Sequence, residues 1–155
     1  MNEFVGKKLG EVLAFSRLGI ELLERGQAAL QDTFTDYEEL IEALQAQAES
    51  IKEVASNAEL EEAAEAKAEA TGDKLRGMME TYIGEEWDNL AELLEWMGFF
   101  EGAAVVHWRL VEGVAESLED TTLHQLAADG ADMHHDLLHR AQAEIKAIGA
   151  QWAES

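Results

Sequence analysis

Residues 87–117, WDNLAELLEWMGFFEGAAVVHWRLVEGVAES, decide the fold class. Trp87, Leu90, Leu94, Met97, Phe100, Ala104, His107, Val111 and Val114 recur at steps of three and four, the period that lines one face of an α-helix. The stretch holds no β-branched run, and the whole chain has no Pro, so nothing stops the helix for about eight turns.

The same period extends outward in both directions. A first helix is expected from Glu3 to Leu30, its stripe carried by Val5, Leu9, Val12, Ser16, Gly19 and Leu23 and widened by Leu13 and Ile20. Asp32–Asp36 breaks it, and Thr35 followed by Glu38 matches a capping box. A second helix carries Tyr37, Ile41, Leu44, Ala48, Ile51 and Ala55. It then enters AELEEAAEAKAEA, residues 58–70, a tract of high helix propensity with a thin apolar face, expected to be exposed, with docking and projection both left open by the sequence. Thr71-Gly72-Asp73 is the expected break, followed by a third helix from Asp73 to Ser117 kinked at Gly84 and a last one from Leu123 to Trp152. Short connections near 31–36 and 118–122 make neighbours antiparallel. The expectation is a single all-α domain, residues 1–155, built as an antiparallel four-helix bundle of long helices with up-down topology.

Charge narrows where such a bundle works. Against 33 Asp and Glu stand 11 Lys and Arg, a net charge of −22. A surplus of this size repels itself, working against the compact state at ordinary ionic strength. Molar salt shortens the Debye length from about 10 Å at 0.1 M to about 3 Å and removes most of that repulsion. The composition resembles that of proteins from extreme halophiles, which implies a high-salt cytoplasm. No signal peptide is legible in Met1–Gly10, and no stretch reaches the ~20 apolar residues of a membrane span. Nucleic acid is excluded as a partner by the sign of the field, and an acidic nucleic-acid mimic is a rarer cause of such a surplus than salt adaptation. The chain has no Cys, which removes disulfides, thiolate metal sites and cysteine nucleophiles.

Histidine is the one residue type gathered in a way that can carry chemistry. His107 lies on the core stripe of the third helix. His124, His134, His135 and His139 lie on the last. Pairing those helices about a turn near residue 119 sets His107 level with residue 131, His134 level with residue 104 and Glu101 level with Leu137. Asp132 with His135, and Asp136 with His139, share a helical face at i,i+3 spacing, from which one cation can be reached. His107, His134, His135, His139, Asp136 and Glu101 are therefore the candidate metal ligands, with Glu11 of the first helix able to join them. No phosphate loop, dinucleotide fingerprint or nucleophile elbow is present, so no catalytic residue is assigned and an enzyme is not the favoured reading.

In its long amphipathic helices with inward carboxylates and imidazoles, the chain resembles ferritin-like helical bundles of the rubrerythrin sort over most of its length. That resemblance implies a ferritin-like up-down topology and a transition-metal cofactor, iron, manganese or zinc. Where that family places Glu-x-x-His on two helices, this chain has Asp-x-x-His on the last and no His on the second.

Residues 95–108, EWMGFFEGAAVVHW, crowd Trp96, Phe99, Phe100 and Trp108 onto a wider arc than one core can bury. They are expected to form a self-association surface, with Gly98, Gly102 and Ala103 allowing close approach and a homodimer as the simplest assembly. The leading expectation is a non-catalytic, salt-adapted bundle that self-associates. A ferritin-like metal-binding protein is the alternative, and an adaptor that offers its acidic Ala/Glu helix to a basic partner is a third reading.

Overall fold

The computed structural model describes all 155 residues, Met1–Ser155, and every regular element in it is helical. Their order is α1 (Glu3–Arg25), the one-turn α2 (Gln27–Leu30), α3 (Tyr37–Asn57), α4 (Glu61–Ile83), α5 (Leu90–Leu118) and α6 (Thr121–Glu154). Asn2, Asn89 and Asp120 cap α1, α5 and α6, each accepting a hydrogen bond from the amide three residues on. The capping box expected at Thr35 and Glu38 is replaced. Asp36 holds the N-cap position of α3, and its carboxylate goes to Arg140 of α6 at 2.5 and 3.0 Å. That hydrogen-bonded guanidinium holds the Asp36 carboxyl below its ordinary range.

The chain thus folds into five long helices where four were expected. The second expected helix ends at Asn57, where Glu59 adopts φ 58° and the amide of Leu60 closes back on the carbonyl of Ala55 at 2.8 Å. This is a Schellman-type stop made with Glu in place of the usual Gly, and it turns the chain back on itself. Conversely, Thr71-Gly72-Asp73 does not break the chain. Gly72 is buried inside α4 and faces Leu18. The break falls at Gly84, with φ +59°, so the expected kink is a full reversal into α5. Gly26 interrupts the first expected helix at its last turn, where its missing Cβ makes room for Leu30 and Leu93.

Residue pairs fix the directions. Ser16 meets Gln47 and Leu23 meets Tyr37, so α1 and α3 are antiparallel. Phe15 packs on Phe100 and Gly26 faces Leu93, so α5 also runs against α1. Arg140 reaches Asp36, and α6 runs against α3. Helix α4 differs: Gly6 faces Leu60, Gly10 faces Ala64 and Glu21 binds Arg76, so it lies parallel to α1. The Ala/Glu tract therefore docks and does not project. Ala64 and Ala68 are buried against α1, and Arg17 clasps Glu65 through two 2.9 Å hydrogen bonds, which hold the Glu65 carboxyl below its ordinary range.

Two apolar clusters fill the interior. One gathers Phe15, Leu22, Leu30, Phe34, Leu44, Met79, Leu93, Trp96 and Phe100. The other gathers Leu9, Val12, Leu13, Ile51, Trp108, Val111, Leu123 and Ala127. On α1, α3 and α6 the residues that divide one cluster from the other are polar.

Candidate functional site

Ser16 of α1, Gln47 of α3, Glu101 of α5 and His134 of α6 form that dividing layer, and all four are buried. His134 Nδ1 lies 2.5 Å from Glu101 Oε2, and its Nε2 lies 3.2 Å from Gln47 Oε1. The Ser16 hydroxyl donates to the same Gln47 oxygen at 2.6 Å, and Val12 carbonyl lies 3.2 Å from it. Gln47 Nε2 closes the network on Met133 Sδ at 3.6 Å. Both imidazole nitrogens thus face oxygens, Nδ1 the Glu101 carboxyl and Nε2 the Gln47 amide, so the ring is hydrogen-bonded on both sides. With His134 at 0% and the Glu101 side chain at 4% exposure, this carboxyl–imidazole pair is cut off from bulk water. Chemically it can hold a proton and fix four helices at one height; it offers no opening to a substrate.

The other expected ligands lie elsewhere. His107 Nδ1 donates to the carbonyl of Ala103 at 2.7 Å, its ring lies 4.8 Å from that of Phe15, and its Nε2 turns toward Glu11 Oε2 at 3.6 Å. Glu11 in turn is held by Lys8 at 3.1 Å and Lys67 at 3.8 Å, cations that compete with any metal for its oxygens. His135, Asp136 and His139 are exposed on the outer side of α6, and Asp136 faces Arg140 at 3.9 Å. Of the six candidate ligands the fold brings together Glu101 and His134 and leaves the rest apart. A closer carboxylate–imidazole grouping, Glu112, Glu116 and His124, sits near the α5–α6 turn. There Arg109 already holds Glu112 at 2.7 Å.

The aromatic segment divides differently from expectation. Trp96, Phe100 and Trp108 are interior residues, buried by the chain's own helices: Tyr82 of α4 lies against Trp96, Phe15 of α1 against Phe100, and Gly130 of α6 under Trp108. Phe99 alone of the four is a surface residue. What sequence reasoning passed over is the aliphatic continuation of that surface, Val106 and Leu110, both exposed. It also passed over Gln47, one of two Gln in QAQAES, although its place between Leu44 and Ile51 on the stripe marks it as inward-facing. Comparison with protein-family models, curated proteins and solved structures gives no match to this chain.

Proposed function

We propose that this chain is a non-catalytic, salt-adapted helical bundle that self-associates in a concentrated-salt cytoplasm. The observation that carries the reading is where charge sits. Of the 33 acidic residues, only Glu11 and Glu101 are buried. Among Lys and Arg only Lys74 and Lys146 make no ion pair, so the basic residues are already committed and the acidic surplus stands uncompensated. Such a surface is held together most easily where salt screens it. The melting temperature is expected to rise by about 10 °C or more between 0.2 M and 2 M KCl, well beyond the gain of a charge-neutral bundle from stronger apolar association. A flat response in a thermal melt followed by circular dichroism overturns the reading.

A ferritin-like metal-binding bundle is the second reading, favoured by the meeting of a carboxylate and an imidazole halfway along four helices. It is the weaker one, because the residues do not fit a metal. Both His134 nitrogens are engaged, Gln47 and Ser16 are poor ligands for iron or zinc, and no second carboxylate enters the layer. Untagged protein purified in high salt without chelator is expected to carry far less than one iron, manganese or zinc per chain by elemental analysis. Near-stoichiometric metal reverses the ranking of the two readings.

A further inference from the structure

Along the solvent side of α5 the acidic surface thins. Between Glu95 and Glu116 that side presents Gly98, Phe99, Gly102, Val106, Leu110 and Gly113. Arg109 at its edge is tied to Glu112. Phe99 is 64%, Val106 67% and Leu110 40% exposed, the first two more than a folded chain of this size gains by leaving them bare. Gly98, Gly102 and Gly113 have nothing within 4 Å of where a Cβ would stand, so the bulky residues alternate with open hollows.

We propose that this face is a two-fold interface with a second copy of the chain, the two α5 helices running antiparallel about an axis at Val106. The pattern is self-complementary about that residue. An antiparallel copy centred there sets Phe99 level with Gly113 and Leu110 level with Gly102, with Val106 meeting its own copy. This is the relation a closed two-fold interface requires. The same rotation places Met78 and Tyr82, which flank Phe99, over the groove that Phe4 and Leu118 form beside Gly113.

Charge selects the occupant. Two chains of net charge −22 repel, and between Glu95 and Glu116 the solvent side of α5 presents few carboxylates, Glu112 being already tied to Arg109. A basic partner finds little here to pair with. From Gly98 to Leu118 the strip is about 30 Å long and, with its flanks, about 20 Å wide. That gives roughly 1,200 Å² buried between two copies, the lower end for a specific interface.

The proposal rests on the self-association reading and names its surface. In sedimentation equilibrium of the full chain in 2 M KCl, the wild type is expected to be a dimer. Val106→Glu, which sets two carboxylates face to face on the axis, is expected to raise the dissociation constant at least about 100-fold while its melting curve remains that of a folded protein. Trp152→Glu, equally exposed on α6, is expected to leave the dimer intact. Because the chain has no Cys, Val106→Cys supplies a single thiol that a short bis-maleimide should join into covalent dimers. A wild type that stays monomeric in 2 M KCl overturns both this interface and the self-association reading. A Val106→Glu protein that stays dimeric, or a Val106→Cys protein that does not cross-link, overturns the interface alone.

Discussion

His134→Ala is expected to destabilise the fold by about 3–5 kcal/mol, the usual result of removing one partner of a buried acid–base pair. The cost has two sources. The imidazole leaves a cavity between α5 and α6, and the Glu101 carboxyl is left in the interior without its hydrogen-bond partner. Removing both partners avoids the second source. Glu101→Leu/His134→Leu is expected to be close to neutral or stabilising, since apolar replacement of a buried pair commonly is. What the double variant loses is the layer that fixes the height of α1, α3, α5 and α6 against one another, so its amide spectrum should broaden even where its stability holds. Urea unfolding at fixed high salt measures all three proteins. His135→Ala, one residue along but exposed, is the control and should change stability by less than about 0.5 kcal/mol. A His134→Ala penalty under about 1 kcal/mol would mean that the pair is not closed off from water.

How far this layer was legible in the sequence depended on register. The helical period of α5 and α6 and the turn near residue 119 bring His134 and the α5 stripe to one height, which follows from spacing alone. The expected alignment put Glu101 level with Leu137, one turn from His134, its actual partner. Glu119 in the left-handed conformation and the closing hydrogen bond from Asp120 to Ala115 set the true alignment, and propensity does not announce a left-handed glutamate. The same blind spot hid the end of α3, because Glu59 occupies a position that glycine usually marks. Gly72 misled in the opposite sense. It lies buried within α4 beside Leu18, and a sequence does not separate a glycine that ends a helix from one that sits inside it. Missing the fifth long helix then misplaced Trp96, against which Tyr82 of α4 lies. The polar layer itself had a signature that could have been read. Ser16, Gln47, Glu101 and His134 each interrupt an apolar stripe, one per helix, at heights that antiparallel alternation matches.

Gly10→Ala is expected to destabilise the protein by about 1–3 kcal/mol, although alanine is intrinsically the better helix former by about 1 kcal/mol. The added Cβ would stand 2.3 Å from the backbone carbonyl oxygen of Ala64 and 2.8 Å from Lys67 Cβ. Side chains can rotate out of such a clash, but a carbonyl inside a helix cannot. Helix α4 must back away by about 1 Å to restore ordinary contact. That retreat loosens the packing of Ala68 and Gly72 against Ala14 and Leu18 farther along the same seam. The pairs that cross it, Arg17–Glu65, Glu21–Arg76, Arg25–Glu80 and the longer Glu11–Lys67, are all at least partly exposed and do not hold it closed on their own. Gly77→Ala is the matching experiment on α4 itself. Nothing lies within 4 Å of its Cβ position, so only the propensity gain is felt and stability should rise by up to about 1 kcal/mol. Opposite signs from one chemical change, read by urea unfolding in the same salt, are the mark of a seam in which two backbones touch. If both substitutions stabilise, α1 and α4 are not in close contact, and the Ala/Glu tract is free of the core after all.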